Sequence, residues 1–205
     1  MAQTNEKAFE TYVQETLVNA GGWRPGDLSE WDKERALFPA RALAFIQDTQ
    51  GGLWDKMRAL HGAGLAELLV HGMVKELEIK GTLHVLRHGF RFYGKTFRLA
   101  YFKPAHGLNE EMHALFRKNR LTVTRQTPCH PSGNSTVDMV FALNGLPVAT
   151  CELKNPGTGQ TWRDAVRQYR EDRDPRAPLF LFKKRALIHF AADPEEIHMT
   201  TRLAK

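Results

Sequence analysis

Hydrophobic residues in the first part of the chain recur every three to four positions, which is the spacing of helices with one buried face. In the first such segment Phe9, Val13 and Leu17 fall on one stripe, and a pair of glycines ends it. Segments 32–47 and 65–79 repeat the pattern less regularly. The beginning of the chain is therefore predicted to be mainly helical.

Beyond residue 80 the spacing shifts towards two, which indicates strands whose side chains alternate between two faces. The order of elements predicts an α/β fold in which a mixed sheet is flanked by helices and carries a helical N-terminal part. We expect either two units, 1–80 and 81–205, or one continuous domain. The predicted elements are a hairpin of 82–89 and 95–102 around Gly94, a helix at 109–119, a strand at 120–126, a hairpin of 136–143 and 147–154, a helix at 161–173, and strands at 179–182 and 186–192.

Composition narrows the class of protein. The 205 residues are 42% hydrophobic and 25% charged, which is enough for one sizeable core. Because no run of about 18 apolar residues occurs, neither a transmembrane helix nor a membrane partner is expected. The N-terminus lacks a basic region followed by an apolar one, and the two cysteines lack metal-ligand spacing. These features predict a cytoplasmic protein with free thiols.

The net charge of +6 is unevenly distributed. Residues 1–80 carry 9 Lys and Arg against 12 Asp and Glu, whereas residues 81–205 carry 20 against 11. This asymmetry favours a polyanionic partner for the second part, and a solvated basic face is the alternative.

Arginines about three residues apart on the predicted helix 161–173 are placed to contact successive phosphates of DNA. Internal pairs with acidic neighbours on a solvated helix are the alternative. A further arginine ends the strand before the second hairpin and is also placed to approach DNA. The candidate DNA contacts are Arg125, Arg163, Arg167, Arg170 and Arg173.

The second hairpin carries charged residues at the ends of two apolar strands. Asp138 begins the first arm, and Glu152 and Lys154 end the second. A two-residue turn at 144–145 would pair Asp138 with Cys151 and put the two acids on opposite faces. A three-residue loop or one bulge would put them on the same face, and we predict one of these.

Two carboxylates that converge beside a lysine suit phosphodiester chemistry. Asp138 and Glu152 are the oxygen ligands that a hard cation such as Mg²⁺ prefers. Such a cation polarises the phosphodiester and lowers the pKa of a bound water. Lys154 is suited to orient that water or to stabilise charge on the phosphoryl oxygens. The alternative is a simple salt bridge at the end of a strand.

Asp138, thirteen intervening residues and then Glu152-Leu153-Lys154 resemble the PD-(D/E)xK nuclease signature. The wider sequence resembles the N-terminal nuclease domain of the type I restriction endonuclease R subunit. The resemblance implies a restriction-endonuclease-like fold and Mg²⁺-dependent cleavage of double-stranded DNA. It also implies that Asp138 and Glu152 are metal ligands and that Lys154 is the catalytic lysine. The matching stretches, in chain order, are GGW, LAYFKP, VTRQ, NGLPVATCELKNP, TGQTWRDAVRQYREDR and IHFAADPEEIHMTT.

Three further site residues come from the resemblance. The family carries a Gln-x-x-x-Tyr element on the helix after the lysine; Gln168 matches its glutamine, but Asp172 occupies the tyrosine position. Tyr169 is next to the glutamine and is a possible supporting residue. Related nucleases often have an acid on the first helix near the metal, and Glu10 is placed to be that acid, with an exposed helix acid as the alternative.

The resemblance also implies partners. The R subunit works with methyltransferase and specificity subunits and continues into an ATP-dependent translocase motor. The segment GTGQT at 157–161 lacks the lysine of a phosphate-binding loop, so ATP is expected to bind only in motor domains beyond this chain. We therefore interpret the chain as an N-terminal piece that ends before the motor. The alternative function is a non-catalytic module for DNA binding or subunit docking that retains the nuclease fold.

Overall fold

The computed structural model describes residues 2–107 and 109–203, and for residues 2–5 the backbone alone. Helices and strands follow the predicted order except at segments 82–89 and 179–182, and most helices lie in the first part of the chain. The helices are α1 (Ala2–Ala20), α2 (Pro39–Thr49), α3 (Gly51–His61), α4 (Leu65–Lys80), α5 (Thr82–His88), α6 (Glu110–Arg117) and α7 (Trp162–Glu171). The strands are β1 (Arg24–Pro25), β2 (Phe90–Phe92), β3 (Lys95–Phe97), β4 (Leu121–Pro128), β5 (Thr136–Leu143), β6 (Leu146–Leu153), β7 (Ile188–Ala192) and β8 (Ile197–Thr200).

The main sheet is mixed, as predicted. Within the described residues its strand order is β1-β4-β5-β6-β7-β8, and β2 and β3 form a separate hairpin. Strands β4, β5 and β6 are antiparallel, while β6 and β7 are parallel and are connected through α7. Because a parallel pair needs a crossover connection, α7 is held against the sheet.

Helices cover both faces of the sheet. On one face the apolar side of α1 packs through Phe9, Val13 and Leu17 against Met139 and Leu153. On the other face α7 buries its apolar stripe in a second cluster with β5. A capping box between Thr161 and Asp164 starts α7. The α/β class with flanking helices is confirmed.

The helices α2 to α5 and the β2–β3 hairpin form a third packed cluster. This layer holds the turn between β5 and β6: Phe38 N–H donates to Gly145 O, and Asn144 Nδ2 donates to Leu99 O at 2.9 Å. The other ends of β5 and β6 lie at the end of the hairpin that is far from this anchored turn. The division into units at residue 80 stays a prediction.

Two predicted strands are wrong. Segment 82–89 forms α5, because Thr82, Val85 and Leu86 are buried at helical spacing between two glycines with positive φ. Segment 179–182 is a turn, in which the amides of residues 180 and 181 both donate to Ala177 O. A hairpin does turn at Gly94, but its first arm is Phe90–Phe92 and its second arm only the beginning of the predicted 95–102. The strand within 186–192 is confirmed. No described helix has both the length and the apolar character needed to cross a bilayer.

Candidate active site

The β5–β6 hairpin contains the predicted bulge. Leu143 pairs with Leu146 around a two-residue turn, but further along Phe141 pairs with Ala149. Strand β6 therefore carries one extra residue. This shifts the pairing by one position, so that residues 138 and 152 fall on the same face. The expectation of an odd loop or bulge is confirmed.

Asp138 lies where the two strands separate. The ladder continues as far as the pair Met139–Cys151, and beyond it Asp138 Oδ2 accepts a hydrogen bond from Leu153 N at 2.7 Å. Asp138 Oδ1 accepts another from Gln126 Nε2 at 3.1 Å. Burial raises the pKa of Asp138, and these hydrogen bonds oppose the rise. The carboxylate is thus fixed in position, with both oxygens occupied by donors.

Glu152 is fully buried on β6. Its Oε1 accepts from Arg173 Nε at 2.7 Å, and Arg173 Nη2 also donates to Thr136 O at 2.8 Å. Its Oε2 has no hydrogen-bond partner among the described residues. Burial and the neighbouring charge of Asp138 raise the pKa of Glu152 to about 8, although Arg173 acts in the opposite direction. A buried carboxylate oxygen without a partner is costly, so a cation or water there would stabilise the fold.

Lys154 follows Glu152 by two residues and is also buried. Its Nζ forms an ion pair with Glu6 Oε1 at 3.0 Å, and its amide donates to Ala192 O of β7. Burial raises the pKa values of Asp138 and Glu152, and the charge of Lys154 opposes both rises. The amine is therefore close enough to interact electrostatically with both acids.

Glu10 reaches the same group from α1. Its Oε1 accepts from Gln126 Nε2 at 2.8 Å, so that one amide group bridges Glu10 and Asp138. Its Oε2 accepts from Arg125 Nε at 3.1 Å. Burial and the charge of Asp138 raise the pKa of Glu10. Gln126 is held in turn by a hydrogen bond from Thr136 to its Oε1.

The two α7 residues suggested by the family element lie in different surroundings. Tyr169 is buried, and its Oη lies 2.8 Å from Thr150 Oγ1. Gln168 is half-buried, and among the described residues it has no side-chain hydrogen bond to the acids or the lysine. Asp172, at the position of the family's tyrosine, caps the C-terminus of α7 and is exposed.

The five candidate DNA arginines separate into two groups. Arg163, Arg167 and Arg170 are exposed along one side of α7. Arg173 is buried against Glu152, and Arg125 is half-buried against Glu10. Each of these last two guanidinium groups is paired with a carboxylate, as is that of exposed Arg167 with Asp164. The assignment of all five arginines as DNA contacts stays a prediction.

Sequence reasoning missed the ion-pair partners of the site. Glu6 lies one helical turn before Glu10, so an i, i+4 pair of acids on α1 was the available signal. Arg173 continues the buried stripe of α7 at four-residue spacing after Ala165 and Tyr169, which distinguishes it from the exposed arginines.

The donor set fits a magnesium ion. Glu152 Oε2 is unpartnered and the charge of Asp138 acts on Glu152, and Mg²⁺ is commonly held by one or two carboxylates with water completing its shell. Within residues 2–107 and 109–203 no cluster of three or more His, Cys, Asp or Glu side chains has metal-binding geometry. A cation here would therefore depend on two acids, water and a phosphate oxygen.

Comparison with known proteins gives one family. Residues 3–205 match the family described as type I restriction enzyme R protein N terminus, which is nearly the full length of the chain. No curated protein sequence matches the chain significantly.

Proposed function

Because the chain belongs to the family of type I restriction enzyme R protein N-termini, we propose that it is the endonuclease domain of such a subunit. Its reaction would be the Mg²⁺-dependent hydrolysis of phosphodiesters in double-stranded DNA. The observation that carries the proposal is the buried Glu152 Oε2 without a partner beside Asp138 and Lys154. A binding module has no need of two buried carboxyl groups where a phosphate would approach.

In this proposal Asp138 and Glu152 hold the cation. The bound ion would neutralise the phosphodiester charge and make a coordinated water more acidic. Asp138 is already oriented by Leu153 and Gln126, so little rotamer freedom would be lost when the site fills. Glu10 and Gln126 would keep Asp138 in its orientation and would not contact the phosphate.

Lys154 supplies a positive charge that acts on both Asp138 and Glu152. Its ammonium group would stabilise the charge that develops on the phosphoryl oxygens or hold the attacking water. To do so it would have to exchange its ion pair with Glu6 for the substrate. The buried stem of Lys154 fixes where that ammonium group can reach.

The DNA backbone would follow the exposed arginines of α7. Arg163, Arg167 and Arg170 lie at i, i+4 and i+7, so their side chains project from one side of the helix. Contacts with phosphates would give affinity that is independent of sequence and decreases with salt. Specificity and methyltransferase subunits would supply target choice and modification, and ATP would act only through motor domains.

The test is nicking of supercoiled plasmid DNA in Mg²⁺, in EDTA and in Ca²⁺. We expect wild-type nicking only with Mg²⁺, and a loss of about 100-fold or more in Lys154→Ala and Asp138→Asn, the scale of removing an electrostatic catalytic group. Lys95→Ala is the matched control, because Lys95 is an exposed lysine on the separate β2–β3 hairpin. Equal nicking by wild type and Lys154→Ala would reject the proposal.

A non-catalytic docking or DNA-binding module is the second candidate. It is favoured by the ion pairs Arg173–Glu152 and Lys154–Glu6, which compensate the buried charges without a metal. On this alternative Mg²⁺ would raise neither the melting temperature nor the nicking rate, while DNA binding would persist. The plasmid assay together with a thermal-shift titration of Mg²⁺ separates the two.

A further inference from the structure

A cleft of about 440 Å³ lies between α7 and the strands β7 and β8. The described residues that line it include Tyr169 and Arg170 but not Asp138, Glu152 or Lys154, so it is distinct from the group formed by the two acids and the lysine. Its size is within the range of protein pockets that enclose one small organic ligand. The cleft is therefore a candidate for a second binding site.

Buried polar groups line the cleft. His189 is almost fully buried, and its Nδ1 lies 2.8 Å from Thr150 Oγ1, which lies 2.8 Å from Tyr169 Oη. Burial lowers the pKa of His189 to about 4, so the ring is neutral at pH 7. When Thr150 donates to one end of this chain and accepts from the other, the end that accepts keeps an N–H or O–H of its own. Both ends line the cleft.

The charge at the cleft is positive. Arg170 and Arg202 line it, and within the described part of the chain neither has a carboxylate within 4.0 Å. By contrast, Arg167 on the same helix is paired with Asp164. No Asp or Glu is among the described lining residues. Two guanidinium groups beside an enclosed space favour an anionic ligand, above all a phosphate.

The rest of the wall is apolar and fixed. Val166 and Leu203 contribute aliphatic surface, and the Trp162 ring stacks on His198 with centroids 3.6 Å apart. The Trp162 amide donates to Asp193 at 2.9 Å, which ties the start of α7 to the end of β7. Such a wall suits a flat ring with one polar edge.

We propose that this cleft binds one nucleotide unit, with its base against the apolar wall and its phosphate between Arg170 and Arg202. The base edge would meet the free donor of the Tyr169–Thr150–His189 chain. The unit can come from a free nucleotide or from an unpaired position in a DNA strand. Arg163, exposed at the start of α7, continues the basic surface along which a strand would lead to the cleft. The proposal does not depend on cleavage.

The test follows thymidine 5′-monophosphate binding to the intact 205-residue chain in EDTA, where neither cleavage nor metal-bridged phosphate binding occurs. Met199 lines the cleft, and it is one of six methionines in the chain. Carbon-13 labelling of the methionine methyl groups, with Met199→Leu for assignment, gives a local signal. We expect the Met199 methyl resonance to shift with saturation, and calorimetry to give the same dissociation constant.

Two variants and one control test the contacts. Arg202→Gln removes an exposed guanidinium and should weaken nucleotide binding about tenfold, the scale of one charge-assisted hydrogen bond. Val166→Trp should fill the cleft and abolish the Met199 shift. Arg91→Gln removes the same charge from the exposed face of β2 and should leave the affinity unchanged. Circular dichroism checks that each variant is folded.

The experiment distinguishes a free nucleotide from a DNA strand as the source of the bound unit. A Met199 shift with thymidine 5′-monophosphate that a single-stranded oligothymidine does not reproduce identifies free nucleotide as the source. A stronger shift with the oligonucleotide identifies a DNA strand. The proposal is overturned if inorganic phosphate binds as tightly as the nucleotide, if Arg202→Gln binds like Arg91→Gln, or if the nucleotide binds without shifting Met199.

Discussion

A single side-chain amide bridges two acids of the candidate active site, one on helix α1 and one on strand β5. Gln126 Nε2 donates to both Glu10 and Asp138, and Gln126 has a positive φ of 47° within β4. A non-glycine residue in that conformation is strained. The missing pairing of Gln126 in the β4–β5 ladder lets its side chain turn towards the acids. Local strain here is therefore linked to the orientation of a proposed metal ligand.

Gln126→Met should impair cleavage without unfolding the protein. The variant keeps the length of the side chain but removes both donors, so Glu10 and Asp138 repel each other without a bridge. We expect the cleavage rate to fall about tenfold, equivalent to roughly 1.4 kcal/mol, with a higher half-saturating Mg²⁺ concentration. Thr136→Val is the control, because it removes only the bond that holds Gln126 Oε1. Unchanged rate and Mg²⁺ dependence would rule out a positioning role.

Arg173 tests whether a cation can occupy the Glu152 site. Arg173→Met leaves a fully buried carboxylate without its ion pair, which should reduce the free energy of unfolding by about 3 kcal/mol. Arg176→Met, at an exposed arginine in the following loop, should cost little. Because Mg²⁺ would replace the lost positive charge, it should raise the melting temperature of Arg173→Met more than that of wild type. An equal response of the two proteins would mean that Glu152 does not bind the ion.

At the scale of elements, the β5–β6 hairpin depends on how its turn fits the helical layer. Gly145 has a φ of 87°, and a Cβ there would lie 2.5 Å from Phe38 O and 2.8 Å from Ala42 N. Both contacts are with backbone atoms, which cannot move aside as a flexible side chain can. The turn therefore requires glycine for two reasons, its conformation and its close packing.

Gly145→Ala should destabilise the protein more than Gly94→Ala. Both glycines have positive φ, but a Cβ at Gly94 would meet no atom within 4 Å. Gly94→Ala should thus cost about 1–2 kcal/mol from backbone strain alone. Gly145→Ala adds the collision with Phe38 and should cost at least about 3 kcal/mol. Urea unfolding measures the loss of stability in both variants. Equal losses would show that the backbone around Phe38 and Ala42 moves to accommodate the added Cβ.

Local pattern predicted the elements where it was unambiguous. The Asn-Gly turn and alternating strands predicted the second hairpin. Counting residues showed that the acids share a face only with an odd loop or a bulge, and the expectation that they meet predicted that irregularity. Segment 82–89 was misassigned because so short a run does not separate the two periods, although its buried positions 82, 85 and 86 are at helical spacing. Segment 179–182 was misassigned because the adjacent apolar residues Leu179 and Phe180 are buried, as in a strand, although they lie in a turn.

At the scale of the whole molecule, the site is assembled from distant parts of the sequence. Glu6 and Glu10 come from α1, Gln126 from β4, and Arg173 from the segment after α7. Spacing along one hairpin predicts that the two acids and the lysine lie at the same end of that hairpin. Their ion-pair partners depend on how α1 and α7 pack on opposite faces of the sheet, which local spacing does not encode.

The stability of the whole protein should depend on pH through His189. Unfolded histidine binds a proton below about pH 6.5, whereas burial holds the pKa of folded His189 at about 4. Between these values the unfolded state binds more protons, so the free energy of unfolding falls as the pH decreases. The expected loss attributable to His189 between pH 7 and pH 4.5 is about 2 kcal/mol.

His189→Asn isolates this contribution from that of the carboxylates. The buried acids have raised pKa values and act in the opposite sense, so wild-type data alone would mix the two effects. The variant lacks the titrating ring but keeps an amide that can reach Thr150. Its stability deficit relative to wild type should shrink by about 2 kcal/mol from pH 7 to pH 4.5. A constant deficit would mean that His189 titrates normally.

The extra residue in β6 also constrains how this hairpin can change in evolution. Removing or adding one residue between positions 138 and 152 would turn one acid away from the other, whereas removing or adding two would keep them together. Length variation in this hairpin should therefore occur in even steps among proteins that cleave. A relative whose hairpin differs by a single residue should either have lost nuclease activity or have gained a second irregularity that compensates.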